Sequence, residues 1–197
     1  MTFRLGLTGS IGMGKSTTAR LFGEEGCAVW DADAAVHRLY AHGGAGTDAI
    51  GAVYPEAVVE GAVDRGRLRE LIAKDPHALG RIEAIIHPLV AQDRADFVAR
   101  QEADVTVLDI PLLYETGGEC ELDAVAVVSA PPSEQRKRVL ERGTMSASDF
   151  ETIVARQVPD SEKRARADYV IEADTLDHAR AQVRAILAEI RKGARDA

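Results

Sequence analysis

Residues 5–17 read LGLTGSIGMGKST, and how this stretch is parsed settles the class of fold. Phe3–Thr8 is a short apolar run of strand length. Gly9 to Ser16 then match G-x-x-x-x-G-K-[ST] at every fixed position. Gly9, Gly12 and Gly14 let backbone N–H groups turn inward around phosphate oxygens. A helix from about Lys15 to Phe22 points its positive dipole end at the same anions. Lys15 is placed to reach the β- and γ-phosphates of a nucleoside triphosphate, and the Ser16 hydroxyl to ligate Mg²⁺. Strand, loop and helix in this order predict an α/β protein that grips a triphosphate.

Further runs extend the pattern. Ala28–Asp31, Val105–Ile110, Ala124–Ser129 and Tyr169–Ile171 read as strands. Helical spacing separates or follows them, most clearly Leu176, Ala179, Val183, Ile186, Leu187 and Ile190 on one face. Strands alternating with helices imply right-handed crossovers and a mostly parallel sheet covered on both sides. The continuous apolar character of Val105–Ile110 suits a buried parallel strand. From about Asp33 to Gln101 little convincing strand is found, whereas Leu68, Leu71 and Ile72, then Leu79, Ile82, Ile85 and Ile86, have helical spacing. That interval exceeds what a crossover needs and predicts a mostly helical insertion. The predicted architecture is a three-layer P-loop core over residues 1–33 and 104–197, a helical substrate-binding insertion over 34–103, and a lid at about 142–160. The tail from Lys192 to Ala197 is expected to fray.

Composition narrows the partners. The formal net charge is −8, which disfavours nucleic acid as substrate. No apolar stretch approaches the ~18–20 residues of a membrane span. Thr2-Phe3-Arg4 leads into the first strand with no signal-peptide pattern, so a cytoplasmic location is expected. Cys27 and Cys120 form no metal-ligand spacing, and Cys27 reads as a buried thiol. A monomer or a weak homo-oligomer is expected.

Three further features concern what happens to the triphosphate. Asn is absent from the chain, which removes the guanine-reading motif of a GTPase switch. The second strand ends Trp30-Asp31-Ala32-Asp33 at the sheet edge where α/β proteins bind ligands. One carboxylate there can accept a proton from an attacking hydroxyl, and either can cap the next helix. The third strand ends in Asp109, resembling a Walker-B acid that assists Mg²⁺. Arg138 and Arg142 share a helix face and can stabilise a transferring phosphoryl group. Gly143 and the polar 144–148 stretch suggest a mobile segment suited to closing over ATP.

Taken together these residues resemble the dephospho-CoA kinase family across nearly the whole chain. The resemblance rests on GLTGSIGMGKST, Asp31-Ala32-Asp33, Asp64-Arg65 with Leu68, and His87-Pro88. It continues through Pro111-Leu112-Leu113 with Glu115, the arginine helix, Gln157, Lys163-Arg164 and Ala167-Asp168. It implies transfer of the γ-phosphoryl of ATP to the ribose 3′-hydroxyl of dephospho-CoA, the last step of coenzyme A synthesis. Asp33 would then be the base, with Lys15 and Arg142 also catalytic. Gly9, Gly12, Met13, Gly14, Lys15, Ser16, Thr17, Arg138 and Arg142 would bind ATP. Thr8, Asp33, Arg65, His87, Pro111, Leu112, Leu113 and Glu115 would form the acceptor site, and Ser16 and Asp109 would serve Mg²⁺.

Three positions depart from the family's habit. His37 stands where many members carry Arg, with Arg38 beside it, and Ala173 stands where many carry Asn. An acid at the Asp109 position is not universal. His87 also reads as a helix-terminal residue, since Pro88 biases its predecessor away from helix. The alternatives are another small P-loop kinase, acting on a nucleotide or a hydroxy acid, and a non-catalytic ATP-binding module.

Overall fold

The computed structural model describes residues 2–196. Its central sheet is five-stranded, built from β1 (Phe3–Thr8), β2 (Ala28–Asp31), β5 (Val105–Asp109), β6 (Ala124–Ser129) and β7 (Tyr169–Glu172). The spatial order is β2-β5-β1-β6-β7. β1 runs parallel to both β5 and β6, and β6 runs parallel to β7. The strand carrying the glycine-rich loop is therefore central. Every residue of β5 and β6 is buried, as continuous apolar sequence in a two-sided parallel sheet demands.

Alternation along the strands sends side chains into two layers. Leu5, Leu7, Val107, Ala126 and Val128 join one core cluster with Leu21 and Phe22 of α1 (Lys15–Glu24) and Val183 and Leu187 of α9 (Leu176–Asp196). Val125 and Val127 join the other, with Leu113 and Tyr114. On α9 the expected apolar face is buried from Ala179 to Ile190, but Leu176, at its first residue, is 46% exposed. The expected fraying from Lys192 is not seen: α9 continues to Asp196, and Ala197 lies outside the described residues. Three further helices complete this unit: α6 (Pro132–Glu141), α7 (Ala147–Arg156) and α8 (Asp160–Arg166). The stretch read as mobile is where α7 begins. Gly143 takes φ 64°, and Ser146 with Asp149 forms a reciprocal capping box.

Residues 31–100 make a second compact unit. It holds α2 (Ala32–Tyr40), α3 (Ala45–Val53), α4 (Arg65–Lys74) and α5 (Ala78–Ala99). Ile50, Tyr54, Leu68, Ile82 and Ile86 are among its core. The interval is mostly helical, and the little strand it holds is one antiparallel hairpin, β3 (Val58–Val59) with β4 (Ala62–Val63). Two-residue strands are too short to show an alternating signal, although the turn at Glu60-Gly61 has positive φ at both residues, the favoured hairpin geometry. One expectation is corrected here: Pro88 does not end a helix at His87. α5 runs through it, with Ile82 and Ile86 buried before it and Leu89 and Val90 packed on the same core after it. Tertiary burial outweighs the local proline bias.

Candidate active site

The loop between β1 and α1 is shaped by its glycines. Gly12 and Gly14 have φ of 78° and 98°, the left-handed region that disfavours a side chain. A Cβ on Gly12 would also lie 2.5 Å from Val139 Cγ2 and 2.9 Å from the Gln135 carbonyl oxygen of α6. Gly9 needs its small size for another reason: its Cβ would sit 2.6 Å from the Val128 carbonyl oxygen of β6. Gly14 is the N-cap of α1, with no side-chain cap and no acidic residue in the first turn among the described residues. The positive end of α1 is thus left for an external anion. Lys15 forms an ion pair with Asp109, a carboxylate 1% exposed at the end of β5. Ser16 and Thr17 are exposed on the first turn.

Side chains moor the loop on several sides. Thr8, fully buried, donates to the Pro111 carbonyl oxygen at 3.2 Å. The Ala130 N–H lies 3.1 Å from Met13 Sδ, so the Met13 side chain belongs to the interior and only its backbone faces the loop. The Ile11 N–H donates to Gln157 Oε1 at 3.2 Å, while Gln135 Nε2 donates to the Ile11 carbonyl at 2.8 Å.

Beside the loop a groove of about 180 Å³ is lined by Gly14, Thr17, Arg138, Arg142 and the 173–176 segment. The volume falls below the ~300–1,000 Å³ of a typical small-molecule site, so it suits part of a nucleotide. Arg138 Nη2 donates to the carbonyl oxygen of Ala173, the position where many members carry Asn, at 2.6 Å. The next cavity, of about 740 Å³, shares Asp174 and is lined also by Ser129, Asp160 and Arg164.

Pro111 to Glu115 follow β5. Leu112 is 45% exposed, whereas Leu113 is fully buried in the core. Glu115 meets the fully buried Lys163 at 2.8 Å and accepts the Val158 N–H at 2.9 Å. Burial pushes the Glu115 carboxyl up, but Lys163 and the Val158 amide more than offset this and hold it below its usual range. Asp168, also in the quoted motifs, accepts the Val125 N–H at 2.8 Å and so braces β6.

The second unit carries the remaining candidates. Asp31 caps α2 by accepting the Ala34 N–H at 2.8 Å, which leaves Asp33 exposed in the first turn and free of the capping role. Arg65 is exposed at the start of α4, its guanidinium 5.9 Å from the Tyr40 ring centroid. His87 is exposed on α5. Arg38, next to His37, pairs with Asp93 at 2.5 Å.

Sequence reasoning gave no role to Gln135 and Lys163. Gln135 could have been found, since 135, 138 and 142 share one helix face by their spacing. Lys163 could not: DSEKRAR is polar except for Ala165, the signature of a solvated helix. Among the described residues no helix is long and apolar enough to cross a membrane, and no group of three or more His, Cys, Asp or Glu is gathered to hold a metal.

Comparison with known proteins agrees in sequence and in structure. The family model for dephospho-CoA kinase matches residues 3–178. A dephospho-CoA kinase of Ruegeria pomeroyi is 64% identical, with 98% of each chain covered. One from Cereibacter sphaeroides is 63% identical over the same shares. A crystal structure from Thermus thermophilus superposes with a TM-score of 0.84 at 36% identity, covering 95% of this chain and 97% of that one. A shikimate kinase from Acinetobacter baumannii reaches only 0.56 at 16% identity, covering 98% of this chain and 95% of that one, which shows a shared P-loop kinase fold and no more. The chain belongs to the dephospho-CoA kinase family.

Proposed function

We propose that the protein phosphorylates the ribose 3′-hydroxyl of dephospho-CoA with ATP, giving coenzyme A and ADP, the final step of coenzyme A synthesis. The observation that carries this reading is a complete phosphate loop with Lys15, Asp109, Arg138 and Arg142 around it, in a chain whose kinship with dephospho-CoA kinases spans 98% of its length. Phosphoryl transfer asks the protein mainly to position and to stabilise charge. The loop amides and Lys15 hold the ATP phosphates, and Arg138 and Arg142 line the adjoining groove. The 3′-oxygen bonds to the γ-phosphorus as the bond to the β–γ bridging oxygen breaks, and Asp33 receives the hydroxyl proton. Asp33 suits this role because Asp31 has taken the helix cap.

The donors present are hard oxygens, which fits Mg²⁺. Ser16 and Asp109 would hold it, and it would supply neutralisation of charge on the phosphates. Thr8, Arg65, His87 and the Pro111–Glu115 segment make the acceptor site in this reading. Of these, Leu113 and Thr8 act through their placement of neighbouring backbone, since their side chains are fully buried. The division into a core of 1–33 with 104–197, an insertion of 34–103 and a lid at about 142–160 assigns ATP to the first, while the acceptor is met by Thr8, Asp33 and Pro111–Glu115 of the core and by Arg65 and His87 of the insertion. A cytoplasmic monomer or weak homo-oligomer, without nucleic-acid or membrane partners, completes the reading.

The test is incubation with Mg-ATP and a panel of dephospho-CoA, shikimate and gluconate, following ADP and coenzyme A by chromatography. Coenzyme A is expected from the first acceptor alone. Folded protein that yields none refutes the reading. Asp33→Asn should keep ATP affinity and lose roughly 10²–10⁴ in turnover. Turnover near the parent value would remove Asp33 as the base.

A further inference from the structure

Gln157 belongs to the motifs of the sequence, yet no step of phosphoryl transfer calls for it. Its surroundings show what it does. The two hydrogen bonds at Ile11 hold two successive peptide planes. Gln157 takes the N–H of the Ser10–Ile11 peptide, and Gln135 grips the carbonyl of the Ile11–Gly12 peptide. In a trans peptide the N–H and C=O point opposite ways. Gln157 thereby turns the Ser10 carbonyl inward, where it accepts the Met13 N–H at 3.2 Å. Gln135 likewise aims the Gly12 N–H away from α6. The residue that follows is a glycine, whose torsions the chain itself restrains least.

The second glutamine is anchored from elsewhere. Gln157 is the C-cap of α7, and the next residue, Val158, gives its N–H to Glu115 beside buried Lys163. The connection between α7 and α8 is therefore tied to the phosphate loop by one residue and to the Pro111–Glu115 segment by the next. Gln135 is 6% exposed on α6, whose backbone already touches Gly12.

We infer that Gln157 and Gln135 are positioning residues for the phosphate grip, fixing the torsions of Ile11 and so the direction of the amides after it. Gln157 also joins the end of α7 to the loop, so that ordering of either favours the other, as reciprocal coupling requires. The inference rests on the loop being the ATP site proposed above. Both glutamines act through Ile11 and neither is a catalytic residue.

Gln157→Met keeps the length of the side chain and removes the acceptor, and Gln157→Glu keeps the acceptor. Three quantities are read: the ATP dissociation constant by calorimetry, the KM for dephospho-CoA, and the exchange rate of the Ile11 amide by nuclear magnetic resonance without nucleotide. Gln157→Met should weaken ATP about three- to tenfold, the worth of one hydrogen bond, and speed Ile11 exchange by a similar factor. The acceptor KM should stay put, and the melting temperature should fall by no more than about 2–4 °C. Gln157→Glu should restore slow exchange at Ile11. Unchanged ATP affinity in folded Gln157→Met overturns the inference. So does Ile11 exchange in Gln157→Glu as fast as in Gln157→Met, or equal losses of ATP and acceptor affinity. Gln135→Met gives a second, independent loss of ATP affinity if it folds, and the Gln157 pair decides if it does not. The parent protein is assayed alongside. Failure to make coenzyme A counts against the proposed reaction, while ATP affinity and amide exchange still judge the glutamines.

Discussion

Gly12 and Gly26 both take positive φ, 78° and 88°, but their surroundings differ. A Cβ on Gly26 meets nothing within 4 Å, whereas one on Gly12 strikes Val139 and the Gln135 carbonyl. Gly26→Ala should cost about 1–2 kcal/mol, from left-handed strain alone, and leave ATP affinity intact. Gly12→Ala should cost about 1–3 kcal/mol from strain, more with the clash, and weaken ATP at least tenfold by displacing the loop from α6. Urea unfolding with ATP titration of both variants checks the contrast, and equal ATP affinity in the two would contradict it. The motif accounts for the turn at Gly12 but not for the wall behind it. The spacing of Gly9, Gly12 and Gly14 is local and readable, but the wall behind Gly12 comes from a helix more than a hundred residues later. Cys27 shows the opposite case. Its apolar flanks were enough to place it inside, and burial pushes its thiol up to about 11, which leaves it inert at neutral pH.

At the scale of elements, α8 is the least legible part of the structure. Lys163 sits 0% exposed in a helix of polar residues, and its partner Glu115 comes from a loop after β5. A pairing across that distance in sequence leaves no periodic trace. Glu115→Ala would leave a buried ammonium without its carboxylate, and a loss of about 3–5 kcal/mol is expected. Glu115→Leu combined with Lys163→Met should recover much of that loss, because neither charge is then stranded. Urea midpoints for the single and double variants test this, and a double variant no better than Glu115→Ala would show that the ion pair itself is indispensable. The contrast with β5 and β6 is instructive. There the chain itself spells out burial residue by residue, because strands covered on both faces must be apolar throughout. The β3–β4 hairpin is too short to leave a signal that places it, and the helix through Pro88 departs from its expected end because packing outweighs the local bias.

Across the whole molecule, several carboxyls are held in their ionised form by bonds made on folding. Asp123 is held down by its bond to Arg4, Asp104 by Arg191, and Glu115 by Lys163 and an amide against its burial. Asp64, Asp75 and Asp149 are held down by local backbone and side-chain bonds. Each of these six carboxyls therefore titrates below its unfolded value, near 3.8 for Asp and 4.5 for Glu. Their stabilisation is complete above those values and is lost as pH falls through the folded ones. The urea midpoint should stay nearly level from pH 7 to about 5 and then fall on further acidification. A midpoint that rises below pH 4 would reverse the sign. The net charge of −8 was readable from composition, but which acids are held down depends on contacts such as Arg4 with Asp123 that only folding creates.

The bare start of α1 reaches furthest. Natural helices usually close their first turn with a side chain of their own, and here Gly14 provides none among the described residues. In the proposed reading, the polyphosphate of ATP would be the piece that finishes this helix. A protein completed by its substrate is sturdier wherever that substrate is plentiful, by about 2.7 kcal/mol at a hundred times the dissociation constant. On that reading, ATP concentration would then bear on the stability of the fold as well as on the rate.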